Sequence, residues 1–262
     1  MKDIFAALRP KVNENIKKAI AAGDLNAKVM PGDHVVTKAE RAKYVVTYDL
    51  EKKTLRSKIK RFFANIAVNK KTRAISKYID IEGLDNAISL KGKAFIITSN
   101  HYSPYDNLII RHLTNKLGYK NKLSIIINES NLFMPGKLGK LVRTVDVLPY
   151  AQDLEYLSKK FNKALTKTLN KKRVVLIYPE QEMWLDYPYP RPLKPGAYHY
   201  ASKFEVPLLP IFVTWKKDKE GVTRYIINIG KPIYSDNRLG LTANKNNMLK
   251  ADETFKKSVA PR

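Results

Sequence analysis

The 262-residue chain contains no cysteine. Disulfides, a thiolate nucleophile and cysteine-ligated zinc are thereby excluded, and a reducing compartment is consistent with the composition. Histidine is scarce as well: His34, His101, His112 and His199 are the only four. None stands at His-x-x-x-His spacing, so no transition-metal centre is expected. No stretch of about 18 consecutive apolar residues occurs, so no segment is expected to span a bilayer. The opening "MKDIFAALRPKVNENIKKAI" is amphipathic and broken by charge, unlike the apolar centre of a secretory signal. Acidic residues are the last deficit, with 24 Asp and Glu against 49 Lys and Arg, a net charge of +25. Such a chain is drawn to polyanions: nucleic acid, an anionic lipid surface, coenzyme A phosphates or an acidic carrier protein.

The length suits one generous domain with an extension. The basic excess concentrates in "KKTLRSKIKRFFANIAVNKKTRAISK", residues 52–77, which holds ten basic residues and no acid. Leu55, Ile59, Phe62, Phe63 and Ile66 recur there at spacings of three and four, predicting an amphipathic helix. Two readings stand. The helix either lies in a membrane interface with its apolar side down, or packs that side on its own domain and leaves the basic face in water. Phosphate-backbone binding is a third and weaker reading: no recognised nucleic-acid module appears, and the basic residues are not interleaved with stacking aromatics.

From about residue 94 the pattern changes to β-rich runs, "AFIITS", "LSIIIN", "VVLIY", "LLPIFVT" and "RYIINI", separated by helical or irregular stretches. This alternation predicts an α/β fold, a mixed and largely parallel sheet flanked by helices, with a basic helical N-terminal extension. The boundary falls at 1–74 for the extension and 75–262 for the main domain. Within "DLEYLSKKFNKALTKTLN", Leu154, Leu157, Phe161, Leu165 and Leu169 are expected on the buried side of one helix. A shorter helix is expected from Pro195 and Gly196 onward. No repeat or low-complexity linker is visible. In the first 50 residues only a helix near 11–22 can be read, because the Pro-Gly turn at 31–32 breaks the periodicity.

The segment "IITSNHYSPYDNL", residues 96–108, carries the chemistry. On a continuous helix His101 and Asp106 would sit about 140° apart around the axis, out of contact. Ser103 is a good N-cap and Pro104 a favoured first helical residue, which leaves His101 in the loop after the strand. Its ring can then fold back so that Nδ1 donates to Asp106 and Nε2 is left to act as a base. The alternative is a capping box in which Ser103 and Asp106 serve only the helix start.

Asn-His-x4-Asp after a strand resembles the acyltransferase motif of the glycerolipid and lysophospholipid acyltransferase superfamily, whose best-known members are the 1-acyl-glycerol-3-phosphate acyltransferases. Three further blocks follow in the family's order: "MPGKLGKLVRTVDVLPY", "YPEQEMW" (usually Phe-Pro-Glu-Gly-Thr) and "VPLLPIFV", the last preceded by "LKPGAYHYASK". The resemblance spans roughly residues 75–235. It implies transfer of a fatty acyl group from a coenzyme A or acyl-carrier-protein thioester to a hydroxyl of a lysophospholipid or related glycerolipid, in phospholipid biosynthesis. His101 would be the general base and Asp106 its partner, with no bound cofactor and no Gly-x-Ser-x-Gly elbow for an acyl-enzyme. Oxyanion donors are expected among the backbone amides of 178–181 or at the Ser103 helix start.

The same resemblance marks Asn100, Ser103, Tyr178, Pro179, Glu180, Gln181 and Glu182 as substrate-binding. Gln181 and Glu182 stand where the family usually has Gly and Thr. Gln152 falls where an Arg commonly clamps the acceptor phosphate, and Gln cannot replace that charge. Lys137, Lys140, Arg143 and Lys194 are the alternative sources of positive charge. The departures raise a second reading, the same chemistry on a glycolipid or other non-phosphate alcohol. Trp184, Tyr187 and Tyr189 are expected either to line a groove or to pack around a Pro-rich turn, and His112 and His199 to be structural. The implied setting is the cytoplasmic face of a membrane, with the protein peripheral on an anionic surface.

Overall fold

A computed structural model describes residues 5–32 and 34–261. The first four residues of the charged opening, and Asp33 of the Pro-Gly turn, lie outside the described residues. Nine α-helices and seven strands follow one another among those described. Helix α1 is Arg9–Ala21; α2 is Lys38–Glu40, continued by a wide π turn at Arg41–Val45; α3 is Leu55–Ser76. Then come β1 (Ile79–Glu82), β2 (Phe95–Thr98), α4 (Asp106–Lys116), β3 (Leu123–Asn128), α5 (Gly136–Thr144) and β4 (Val147–Tyr150). The chain ends with α6 (Leu154–Tyr156), α7 (Asn162–Asn170), β5 (Val174–Ile177), α8 (Gly196–Lys203), β6 (Leu208–Lys217), β7 (Thr223–Ile229) and α9 (Leu241–Val259).

The strands form one sheet in the order β1-β7-β6-β2-β5-β3-β4. Strands β2 to β6 run parallel; β7 pairs antiparallel with β6, and β1 runs alongside β7. The expected mixed, mostly parallel sheet with flanking helices is therefore what the chain forms. Central strands read as unbroken apolar runs because both faces are covered. Phe95 and Ile97 of β2 pack with Ile109 and Leu113 of α4, while Ile96 between them packs with Phe161, Leu165 and Tyr198 on the opposite face. Each such fully buried aliphatic or aromatic side chain contributes roughly 1.5–3 kcal/mol. A third cluster joins Val12, Ile16 and Ala19 of α1 with Val29 to Trp184 and Leu185.

Three local expectations are corrected. Leu154 is 86% exposed, not on the buried side. A π turn at Leu157–Phe161 adds a residue to the winding between α6 and α7, so Tyr156, 2% exposed, takes the inward position instead. Helix α4 starts at Asp106, later than a Ser103 cap implies; Pro104 and Tyr105 form a turn, and the Ser103 hydroxyl accepts from the Tyr105 amide at 3.2 Å. Finally, α3 does not bury its apolar stripe. Ile59, Phe62, Phe63 and Ile66 are 49–63% exposed and Leu55 73%, while Asn65, Val68, Thr72 and Ile75 face the core. Packing of that stripe against its own domain is thus overturned for the described fold.

Candidate functional site

The site grows from the carboxyl end of β2. Asn100, 2% exposed, does not reach outward: its amide donates to the Val213 carbonyl at 2.9 Å and accepts from the Val213 amide at 2.8 Å. This paired bond staples the strand exit to β6. The next residue, His101, places Nδ1 2.8 Å from Oδ2 of Asp106. That oxygen also accepts from the amides of Tyr102 at 2.9 Å and Ser103 at 3.1 Å. The dyad and one half of the capping box therefore share one oxygen atom, and the two readings of Asp106 coexist.

Asp106 is 2% exposed. Burial raises its carboxyl above the usual range, with the bonds from His101, Ser103 and Tyr102 opposing that rise. When the carboxylate is ionised it only accepts, so a neutral imidazole then carries its proton on Nδ1 and the lone pair on Nε2. Nε2 has no hydrogen-bond partner among the described residues, and the side chain is 23% exposed. Tyr178 lies flat against the imidazole, with ring centroids 4.2 Å apart and planes 16° from parallel, and its hydroxyl donates to Asn107 at 2.9 Å. In-plane bonding to Asp106 and stacking on Tyr178 thus fix the ring in both directions. Such an imidazole is arranged to take a proton from a hydroxyl.

Glu180 is held by partners within the protein. Its carboxylate pairs with the Arg191 guanidinium at 3.1 Å, accepts from the Arg191 amide at 3.1 Å and from the His101 amide at 3.4 Å. Both partners are buried, and burial raises Glu180 while Arg191 lowers it. Arg191 was not singled out in the sequence. It also bonds the Glu182 carbonyl, reaches the Leu25 carbonyl at 3.4 Å and lies 4.8 Å over the Trp184 ring. The loop it organises holds the histidine peptide: the Trp184 amide donates to the His101 carbonyl and the Asp186 amide to the Tyr102 carbonyl, each at 3.0 Å. Trp184 is fully buried beneath α1, which settles it as packing, whereas Tyr189 remains 47% exposed.

Gln181 keeps the left-handed backbone, φ +64°, that suits the glycine usual at that place. Of the amides expected as oxyanion donors, Gln181 donates to the Tyr178 carbonyl and Ser103 to Asp106, and Pro179 has none to give; the neighbouring amides of His101 and Tyr102 are engaged by Glu180 and Asp106. Pro179 is buried, and its carbonyl accepts from the Lys194 amide at 2.8 Å. None of the expected positive charges bonds directly to the dyad among the described residues. Lys137 and Lys140 are exposed on α5, and Arg143 spends its guanidinium on the Leu132 and Met134 carbonyls at 2.6 and 3.0 Å. Gln152 is exposed on the bend after β4. No hydrogen bond or ion pair joins these residues or Lys194 to His101 or Asp106 among those described. His112 and His199 are half-buried and held below the usual histidine range, chiefly by burial. No group of three His, Cys, Asp or Glu among the described residues could hold a metal ion.

An ordered Asn-His-x4-Asp turn on a mostly parallel sheet defines a class, and a sequence comparison agrees with it. The model of the Acyltransferase family matches residues 78–214, more than half of the chain, and the chain belongs to that family. Among solved structures it is similar to the 1-acyl-sn-glycerophosphate (LPA) acyltransferase PlsC from Thermotoga maritima, at 18% identity over 81% of this chain and 87% of that one, with a TM-score of 0.48. No curated protein sequence matches it significantly.

Proposed function

We propose that the protein is a lipid O-acyltransferase that moves a fatty acyl group from a coenzyme A or acyl-carrier-protein thioester to a hydroxyl of a lysophospholipid or related glycerolipid. The observation that carries the reading is the 2.8 Å bond from His101 Nδ1 to Asp106, which leaves Nε2 as the base. Nε2 takes the hydroxyl proton as oxygen attacks the thioester carbonyl; the tetrahedral intermediate collapses, the C–S bond breaks, and the imidazolium returns the proton to the thiolate. Asp106 stabilises that imidazolium, and general-base assistance supplies about 10²- to 10⁴-fold in rate.

The reaction takes place on an anionic membrane surface in this proposal. The exposed apolar stripe of α3, flanked by exposed Arg56, Lys58 and Lys60, supports it, and the described residues include no helix long and apolar enough to cross a membrane. Arg61, though basic, is paired with Asp146 and does not belong to that flank. A second reading, a glycolipid or other non-phosphate acceptor, is favoured by the uncharged Gln152 and by the engagement of Arg143 with two carbonyls.

Mass spectrometry of lipids after incubation with both thioesters and a panel of lysophospholipid, lysophosphatidate and glycolipid acceptors tests the proposal. A thioester-dependent acylated product is expected, and its headgroup decides between the readings. Absence of product from every pair contradicts both.

A further inference from the structure

A second charged cluster lies at the other end of the parallel strands. Asp146 immediately precedes β4, Arg173 immediately precedes β5, and Ser124 is the second residue of β3, so their side chains meet at the strands' amino ends. His101 and Tyr178 stand at the carboxyl ends, about 16 Å away along β5 from Arg173 to Tyr178. Arg61 reaches the cluster from α3. Its Nη1 donates to Asp146 Oδ1 at 3.1 Å, Arg173 Nη2 donates to Oδ2 at 2.7 Å, and Arg173 Nε donates to the Ser124 hydroxyl at 3.2 Å. These residues line a cleft whose rim carries Lys167 and Lys171.

The charges in this cleft do not cancel. Lys167 is matched by Glu51 at 2.6 Å. Asp146 alone serves Arg61 and Arg173, and Arg111, 3% exposed, lies within electrostatic range of both Asp146 and Arg173. Lys171 has no ion-pair partner among the described residues. Four lining cations, Arg61, Lys167, Lys171 and Arg173, therefore face two carboxylates, Glu51 and Asp146, in a setting where Arg173 is 17% exposed and Arg61 31%. Partly buried like charges repel strongly, because water screens them poorly there. An excess above one charge, presented by two guanidinium forks and a serine hydroxyl whose proton is free to donate, matches a phosphate group better than a singly charged carboxylate.

We propose that the cleft between Arg61, Asp146 and Arg173, rimmed by Lys171, is a phosphate-binding site separate from the His101–Asp106 site. The phosphate arrives either as the free ion or on an anionic lipid, since Arg61 shares α3 with the exposed Phe62 and Phe63. This assignment rests on charge and geometry at the strands' amino ends and is independent of the acyl-transfer reading.

Thermal-shift titrations at constant ionic strength test it, with inorganic phosphate in one arm, monomeric dihexanoyl phosphatidate in the other and chloride as the reference. A saturable rise in Tm is expected in at least one arm. The Arg61→Met/Arg173→Met double variant loses it, and Lys171→Ala, at the rim, weakens it. Asp146→Asn, which removes the competing carboxylate, tightens half-saturation by about tenfold. Equal affinity in the two arms identifies the free ion as the ligand, and preference for phosphatidate identifies the lipid. The proposal is overturned if neither arm saturates or if all variants respond like the wild type. The Lys171→Ala and Asp146→Asn results decide the matter even if the double variant does not fold.

Discussion

The two ends of the parallel strands handle charge by opposite rules. At the carboxyl ends each ion has one designated partner. Three N–H donors meet a single oxygen of Asp106, and the buried Glu180 and Arg191 neutralise each other one to one. At the amino ends Asp146 is shared among several cations. The difference teaches that matched charges organise the protein's own loop, here the backbone around His101, while unmatched charges call for a partner from outside.

The comparison breaks first at His101. Replacing it with Ala is expected to lower acyl transfer by at least about 10²-fold, with Tm within a few degrees of wild type, because the ring is partly exposed and packs mainly on Tyr178. Retention of more than about a tenth of the activity removes the base from the account. Next in size is a contrast in stability read by urea denaturation. Glu180→Gln strands a buried Arg191 and should cost about 3–5 kcal/mol. Asp146→Asn should cost clearly less, since Arg61 and Arg173 are only partly buried, 31% and 17% exposed, against 1% for Arg191. Equal losses at the two sites would erase the distinction drawn between them.

A smaller effect concerns Lys52, buried beside Tyr48 and bonded to the Arg143 carbonyl at 2.9 Å. Burial lowers its ammonium to about 8, against an ordinary 10.5. Below about pH 8 the folded protein bears the cost of a buried charge. As pH climbs from there towards 10.5 the folded state loses the proton before the unfolded one does, so Lys52 adds stability across that window. Equilibrium unfolding measured across the window should show the rise in wild type and a flatter profile in Lys52→Met. The smallest expected change is at Gln181, whose φ of +64° costs a non-glycine residue about 1 kcal/mol. Gln181→Gly should therefore raise stability slightly, and a lower Tm would show that the side chain contributes more than its backbone conformation costs.

Much of this was legible in the sequence where neighbours along the chain determine the outcome. Runs such as "AFIITS" and "LLPIFVT" announced β2 and β6 because central parallel strands are apolar on both faces. Strand β1, Ile79–Glu82, escaped notice because its charged residues alternate at a sheet edge, and β4 because Pro149 interrupts a short edge strand. The helix α3 was readable as a helix, but its buried face was not: it packs through Asn65 and Thr72 along with Val68 and Ile75, not through the predicted apolar stripe. His101 and Asp106 were marked by the resemblance to the Asn-His-x4-Asp motif, while spacing and turn chemistry alone left the dyad and the capping box both open. The stacking of Tyr178, the staple from Asn100 to Val213 and the Arg191–Glu180 pair join residues brought together only by the sheet order, and no local signal marks them.

The central claim is that Asp106 serves His101 by its charge and not only the helix start by its oxygen. In Asp106→Asn the amide oxygen can still accept the Tyr102 and Ser103 amides, while the NH₂ replaces Oδ1, which is buried without a partner among the described residues. Stability should fall by about 1–3 kcal/mol. The decisive measurement is the acyl-transfer rate of purified, folded Asp106→Asn beside wild type. A loss of about 10²-fold or more is predicted, because a neutral amide cannot stabilise the imidazolium. A rate within a few-fold of wild type would contradict the account and reduce Asp106 to a cap.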